Sequence, residues 1–159
     1  MAKYNCQIKF TTDYLQQRFT GEQESKPNDL LYQDEKGIYV PSHHIKAALI
    51  NAGKFFEDEN LINLIKRDLI ISEPYIYIGK KKPDYYNKSY VMRENRETLI
   101  RPAFKAGLEL KFNVMVIPNS KIDSLENIKG LLAYAGDIGV GAYHSQYGKF
   151  EVVKVQKVK

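Results

Sequence analysis

The 159-residue chain contains no tryptophan and only one cysteine. A single cysteine excludes a disulfide bond within the chain. Cys6 alternates with Tyr4, Ile8 and Phe10, which places its side chain on the apolar face of a predicted strand. We therefore expect a small buried thiol rather than a nucleophile.

The sequence also lacks the signals of membrane and cofactor-binding proteins. No apolar run approaches the ~20 residues that a membrane span needs, and no signal-peptide hydrophobic region is present at the N-terminus. No Walker A pattern occurs, and no spacing of Asp, Glu and His is typical of a metal site. We expect an intracellular, cytoplasmic protein that uses no cofactor, no metal and no membrane.

The length predicts a single domain over residues 1–159, large enough to form a hydrophobic core. The chain is basic, with a net charge of +5 and a pI of about 9.1. A basic surface favours a polyanionic partner, although many basic domains bind no nucleic acid.

Hydrophobic periodicity predicts the element order β-α-β-β-α-β with insertions. The predicted strands are Lys3–Thr12, Gly37–Val40, Leu69–Ile71 with Tyr75–Ile78, Gly107–Ile117 and Lys149–Val158. The predicted helices begin at Ser42 as N-cap, at Asn60, and after Asp123 or Ser124. This order is typical of an α+β, ferredoxin-like (RRM-like) fold with an antiparallel sheet, two helices on one face and an inserted basic hairpin or loop.

The two main predicted helices contain similar segments, Ile45–Gly53 and Ile128–Gly136, which are identical at five of nine positions. The similarity indicates a pseudo-duplicated βαβ unit, or a chance similarity between amphipathic helices. In this alignment Gly136 ends the second helix as Gly53 ends the first, and we expect Gly136 to be its left-handed C-terminal residue.

The segment Gly79–Arg101 is the most basic part of the chain. Seven cations and three anions give it +4 of the net +5. Cations suit a phosphate backbone and tyrosines suit unpaired bases, so this mixture favours single-stranded nucleic acid. The alternatives are a solvated loop and a protein-binding arm. The candidate contacts are Lys80, Lys81, Lys82, Tyr85, Tyr86, Lys88, Arg93, Arg96 and Arg101.

The three histidines are His43 and His44, at the start of the first predicted helix, and His144. Histidine can act as a general acid or base in RNA cleavage. Adjacent helical residues point about 100° apart, so at most one of His43 and His44 faces a given site. We predict no catalytic residue and treat all three histidines, with Lys46, as candidate nucleic-acid contacts.

A glycine loop, Ala135–Val152, joins the last predicted helix to the last strand and holds Gly136, Gly139, Gly141 and Gly148. Gly139-Val140-Gly141 follows a helix and precedes a strand, which is opposite to a Rossmann fingerprint. Gly139, Gly141 and Gly148 have no structural demand visible in the sequence. The candidate contacts in this loop are Gly139, Gly141, Tyr143, His144 and Lys149.

Two segments resemble the RAMP superfamily, the repeat-associated proteins of CRISPR effectors. Pro41–Leu49 is similar to the proline-led segment that begins the first helix in that family, and Ala135–Phe150 is similar to its C-terminal glycine-rich loop. A group of phage and prophage proteins shows a similar series of Arg101-Pro102, the glycine loop and Tyr147–Val152. The family's glycine after the proline is absent here, and His144 or Ser145 stands where its loop arginine is expected.

The resemblance implies a ferredoxin-like core that binds RNA or single-stranded DNA, with a thumb-like hairpin for which 79–101 is the candidate. It also implies self-association along the strand, as in the backbone subunits of CRISPR effectors. Our leading hypothesis is a non-enzymatic, sequence-tolerant binder of RNA or single-stranded DNA, encoded by a phage. The alternatives are a protein-interaction module that mimics or inhibits a CRISPR subunit, and a metal-independent ribonuclease that uses His43, His44 or His144.

Overall fold

A computed structural model describes residues 1–21, 26–56, 58–92, 96–142 and 146–159. Within these residues, three α-helices and antiparallel sheets make up the fold, which confirms the predicted α+β class. The helices are α1 (Ser42–Phe55), α2 (Glu59–Asp68) and α3 (Leu125–Ile138). The strands are β1 (Ala2–Phe10), β2 (Tyr14–Leu15), β3 (Gln33–Asp34), β4 (Gly37–Pro41), β5 (Leu69–Ile71), β6 (Tyr75–Tyr77), β7 (Tyr85–Met92), β8 (Arg96–Phe104), β9 (Glu109–Val116) and β10 (Phe150–Lys157).

The main sheet has four strands in the order β10-β1-β9-β5, and every neighbouring pair is antiparallel. Alternate side chains of β1 face the core, as the sequence predicts. The buried ones are Tyr4, Cys6, Ile8 and Phe10. Burial raises the pKa of the Cys6 thiol to about 12, which fits an inert core cysteine. The apolar stripes of α1 and α3 join this face in one hydrophobic cluster.

The helix starts follow the sequence with one correction. Ser124 is the N-cap of α3, because its Oγ accepts a hydrogen bond from the backbone N–H of Asn127 at 3.1 Å. Asp58 caps α2 in the same way. The prediction that Ser42 caps α1 was wrong: Pro41 occupies the N-cap position and Ser42 is the first helical residue.

The two aligned glycines do not end their helices, and the expectation that Gly136 is a C-terminal left-handed residue was wrong. Helix α3 continues to Ile138, and the cap is Gly139, with a φ of 95°. A Cβ on Gly136 would lie 2.1 Å from the carbonyl oxygen of Phe150, and one on Gly53 would lie 3.0 Å from Cδ1 of Ile65. Both glycines therefore serve close packing inside helices.

Two smaller sheets flank the main one, with strand orders β2-β8-β7 and β3-β4-β6. The segment predicted as one interrupted strand or two short ones forms two strands, β5 and β6, which belong to different sheets. The predicted basic insertion contains the antiparallel pair β7–β8, whose register places Asn87 opposite Arg101. Strand β8 continues beyond residue 101 and pairs with β2, which the sequence analysis did not predict.

Candidate functional site

The β7–β8 hairpin has two chemically different faces because side chains alternate along a strand. Tyr86, Lys88 and Tyr90 are exposed on one face, while Tyr85, Asn87 and Ser89 are half-buried on the other. The rings of Tyr86 and Tyr90 are 44% and 60% exposed. The outer face therefore presents a cation between two aromatic rings.

The lysines that precede the hairpin are not equivalent. Nζ of Lys80 lies 2.8 Å from a carboxylate oxygen of Asp84, and Nζ of Lys81 donates to the carbonyl oxygen of Glu35 at 3.3 Å. Lys82, like Lys88, is exposed to solvent. Among the predicted cations whose side chains the structure describes, Lys82 and Lys88 are therefore placed best for a phosphate backbone.

Tyr85 and Tyr86, which are adjacent in β7, form hydrogen bonds on opposite faces of the hairpin. The hydroxyl of Tyr85 donates to the carboxylate of Asp13, and burial together with this contact raises the pKa of the Tyr85 hydroxyl. The hydroxyl of Tyr86 donates to Oδ1 of Asn28, in the short 3-10 turn Pro27–Leu30. Tyr85 is therefore fixed beneath the hairpin, whereas Tyr86 keeps an exposed ring.

Arg101 lies at the base of the hairpin and is buried. Its Nε donates to Oε1 of Gln17 at 2.7 Å, and its Nη1 donates to Oγ of Ser89 at 3.1 Å. Asn87, on the same face, donates to the hydroxyl of Tyr147 in the glycine loop at 3.4 Å. The inner face of the hairpin is thus joined to both the segment after β2 and the glycine loop.

The glycines of the glycine loop have structural demands that the sequence did not reveal. Gly141 and Gly148 have φ values of 86° and 76°. A Cβ on Gly141 would lie 2.5 Å from the carbonyl oxygen of Leu15, and one on Gly148 would lie 1.7 Å from that of Val140. Gly139 combines a positive φ with the helix-cap position. The expectation that these three glycines lack a structural demand was wrong.

A cleft of about 290 Å³ lies between β2, the first half of α1 and the glycine loop. It brings together three predicted site residues: His44, Gly139 and Gly141. Gln17 also lines this cleft and accepts the hydrogen bond from Arg101. Gln17 therefore connects the cleft wall to the inner face of the hairpin.

His44 is half-buried in the cleft wall, and its ring meets the ring of Tyr32 edge-on at 5.0 Å. Its buried Nδ1 finds no hydrogen-bond partner among the described residues. Burial, with a smaller contribution from neighbouring His43, lowers the pKa of His44 to about 4. His44 is therefore neutral near pH 7, whereas His43 is exposed on the adjacent helical position.

Two other predicted contacts have partners within the fold, Lys46 through its ammonium group and Lys149 through its backbone N–H. Nζ of Lys46 donates to the carbonyl oxygens of Leu69 and Lys66, at the C-terminal end of α2, and burial lowers its pKa. Lys149 is half-buried, and its backbone N–H donates to Oγ1 of Thr12 at 2.9 Å. Arg93, Tyr143 and His144 lie outside the described residues, and Arg96 is described only as the first backbone position of β8.

Sequence reasoning missed several residues around the cleft. Gln17, Tyr32 and Asn51 line it together with His44. Gln17 follows a two-residue strand with no periodic signal, and Asn51 lies on a polar position of an amphipathic helix. Nothing in the sequence separates these polar residues from ordinary surface residues, because long-range packing brings them together.

The comparisons with known proteins found a similar fold but no match by sequence. No protein-family model matches the chain, and no curated protein matches it. The chain is similar to one in the cryo-EM structure of the Type III-B Cmr-beta bound to cognate target RNA, with a TM-score of 0.63 and 14% sequence identity. The match covers 99% of this chain and 61% of that one. The similarity shows a shared fold.

Among the described residues, no helix is both long enough and apolar enough to cross a membrane.

Proposed function

We propose that this chain binds single-stranded nucleic acid, RNA above all, without cleaving it and with little dependence on sequence. The observation that carries the proposal is the contact between Gln17, in the cleft, and Arg101, at the base of the hairpin. It connects the cleft, which contains Gly139 and Gly141, to the inner face of the predicted basic hairpin. A strand that leaves the cleft at Gln17 meets this hairpin next.

The residues of the cleft and those of the basic segment contact different parts of the nucleic acid. The cleft offers neutral polar groups from Gln17, His44 and Asn51 between small residues, which suits a base or a ribose. Lys82 and Lys88 supply exposed positive charge for phosphates, and Tyr86 offers an exposed ring for stacking. None of these contacts selects a particular base, so we expect weak sequence preference.

The fold supports the proposal at a coarser level. The strand order β10-β1-β9-β5, with α1 after the first of these strands in the chain and α3 before the last, favours a ferredoxin-like core of the RAMP type. The similar chain comes from an assembly bound to RNA. This chain spans 61% of that chain's length, and assembly along a strand with other subunits is part of the proposal.

The absence of catalysis is also part of the proposal. A general base is most effective when its pKa is near the working pH, and the pKa of His44 is about 4. Incubation of labelled RNA with the wild type and the His43→Ala, His44→Ala and His144→Ala variants in EDTA tests this directly. Cleavage by the wild type that one of these variants abolishes would favour the metal-independent ribonuclease instead.

Binding is tested with labelled oligouridylate and oligodeoxythymidylate across a salt series. The double variant Lys82→Ala/Lys88→Ala is compared with Lys54→Ala/Lys129→Ala, which removes two exposed lysines from α1 and α3. Each lost phosphate contact should flatten the slope of log K against log salt by about 0.7 for a single strand, so the hairpin variant should change by about one unit or more. The control has the same net charge and should keep the wild-type slope.

Two results would contradict the proposal. One is a wild-type chain that binds no oligonucleotide at low salt. The other is an equal slope change in both double variants, since that would indicate an effect of net charge alone. A tight protein partner without oligonucleotide affinity would favour the alternative of a protein-interaction module that mimics or inhibits a CRISPR subunit.

A further inference from the structure

Three tyrosines form an aromatic surface on the sheet β3-β4-β6, in which Tyr75 and Tyr77 are exposed and Tyr39 is half-buried. Tyr39 of β4 lies opposite Tyr77 of β6, and Tyr75 lies two pairs further along, opposite Pro41 and on the same face. The ring centroids of Tyr39 and Tyr75 are 4.3 Å apart, and those of Tyr39 and Tyr77 are 5.9 Å apart. We call Tyr39, Tyr75 and Tyr77 the tyrosine surface.

The hydrophobic core does not require the tyrosine surface for its packing. The alternate residues on the same strands, Ile38, Val40 and Ile76, are buried and already supply the packing of this small sheet. Tyr75 and Tyr77 are 47% and 38% exposed. Large aromatic rings on the outer face of a short sheet contribute little to burial, which points to an intermolecular role.

This surface is continuous with the cleft. Tyr32 and His44 both line the cleft. The ring of Tyr32 meets that of His44 at 5.0 Å and lies 6.2 Å from that of Tyr39. A row of aromatic rings therefore leads from the cleft, through Tyr32 and Tyr39, to Tyr75.

The charges along this row are unequal. Exposed Arg18 lowers the pKa of the Tyr32 hydroxyl against the larger effect of burial. At Tyr39 the effect of Arg18 is smaller than those of burial, Tyr75 and Asp34, which raise the pKa of the hydroxyl. At the far end, the carboxylate of Asp34 accepts a hydrogen bond from Tyr77, which raises the pKa of the Tyr77 hydroxyl to about 12. Positive charge thus lies beside the cleft end and negative charge beside Tyr77.

We propose that the tyrosine surface stacks unpaired bases of the strand whose neighbouring nucleotides occupy the cleft. Arg18 faces the phosphates near Tyr32, while the bases lie over Tyr39 and Tyr75. The carboxylate of Asp34 repels phosphates at Tyr77 and marks the end of the binding path. The inference rests on the proposed binding of single-stranded nucleic acid and extends its length.

The test compares oligouridylates of about four and about 12 nucleotides, lengths within the range of single-strand binding sites. The variants are Tyr75→Ala, Tyr75→Phe and, as control, Tyr134→Ala. Tyr134 is 38% exposed and contacts the ring of Phe56 at the opposite end of α1. Affinity is measured by fluorescence anisotropy, and the urea midpoint of each variant reports folding.

We expect Tyr75→Ala to weaken binding of the longer RNA about tenfold, the effect of one lost base–aromatic stack. Binding of the short RNA should change less, because a short strand that occupies the cleft covers less of the tyrosine surface. Tyr75→Phe should keep the wild-type affinity, since stacking needs the ring and not the hydroxyl, and Tyr134→Ala should change neither length.

Three results would overturn the inference. If Tyr75→Ala binds the longer RNA as tightly as the wild type, the tyrosine surface takes no part, although the cleft and hairpin remain as proposed. If the variant instead loses a protein partner while RNA affinity is unchanged, the surface docks a protein. If the wild type binds neither length, the proposed function fails and this inference fails with it.

Discussion

The glycine loop and the β7–β8 hairpin both carry binding signals in the sequence, yet they are built in different ways. The loop is held by backbone contacts: the N–H of Val140 donates to the carbonyl oxygen of Gly148 at 3.0 Å, and that of Gly148 donates to Asp13 at 2.7 Å. The outer face of the hairpin presents the exposed β7 side chains of Tyr86, Lys88 and Tyr90. The loop therefore shapes a wall of the cleft, whereas the hairpin presents charge and rings.

This difference separates two kinds of mutational effect. A side chain added to the loop should disturb folding, because the backbone is closely packed there. Changes on the outer face of the hairpin should leave folding almost intact and alter binding. This contrast would be contradicted by a loop substitution that leaves the protein folded, or by an outer-face substitution that unfolds it.

The largest effect is expected from Gly148→Ala, measured against Gly79→Ala. The two glycines have nearly the same φ, 76° and 75°, so the conformational penalty of alanine is the same for both. A Cβ on Gly148 would lie 1.7 Å from the carbonyl oxygen of Val140, while one on Gly79 would meet nothing within 4 Å. We expect Gly79→Ala to cost about 1 kcal/mol in free energy of unfolding and Gly148→Ala to cost more than about 4 kcal/mol.

Urea unfolding followed by circular dichroism measures both losses. The difference between the two variants isolates the steric term, because the dihedral term cancels. Equal losses at the two positions would mean that the loop can move away from Val140. The loop would then be an adaptable element like the outer face of the hairpin, and the contrast between them would disappear.

Much of the fold could be predicted because its signals are local. The alternation in β1 and the serine before α3 determine strand and helix over a few residues, and both predictions are confirmed. The roles of the loop glycines could not be predicted. The sequence shows that Gly141 can adopt a positive φ, but not that the carbonyl oxygen of Leu15 lies where its side chain would be.

The site shows the same limit. The basic composition of the hairpin is visible in the sequence, but the burial of Arg101 depends on its contact with Gln17, 84 residues away. In the sequence, Lys46 cannot be distinguished from an exposed helical lysine. In the structure, its ammonium group donates to the carbonyl oxygens of Lys66 and Leu69. Cations that bind a ligand and cations that satisfy the fold cannot be told apart without long-range contacts.

A smaller effect on the free energy of unfolding is expected when the pH is lowered, through protonation of His44 in the cleft wall. The pKa of His44 is lowered from 6.5 to about 4, chiefly by burial, so the unfolded chain binds a proton that the folded chain rejects between these values. The contribution of His44 to stability is therefore complete above about pH 6.5 and is lost as the pH falls toward 4. Because the side chain is partly exposed, we expect roughly 1–2 kcal/mol rather than the full shift.

The measurement is the free energy of unfolding of the wild type, His44→Gln and His43→Gln between pH 4 and 7. His44→Gln should remove most of the histidine-dependent slope, while His43→Gln should keep it and lose only the small contribution of its neighbouring charge. An unchanged slope in His44→Gln would show that the cleft wall admits water freely. His44 would then resemble the exposed residues of the hairpin.

The smallest effect should separate the two faces of the hairpin itself, through Tyr85→Phe and Tyr86→Phe. Each change removes one hydroxyl and one hydrogen bond, but Tyr85 donates to the carboxylate of Asp13 beneath the hairpin, whereas Tyr86 donates to the amide oxygen of Asn28 at the surface. We expect losses of about 1 kcal/mol for Tyr85→Phe and less than about 0.5 kcal/mol for Tyr86→Phe in free energy of unfolding. In RNA binding Tyr86→Phe should equal the wild type, because its exposed ring is kept. A larger stability loss at Tyr86 than at Tyr85 would reverse the assignment of inner and outer faces on which the proposed binding surface depends.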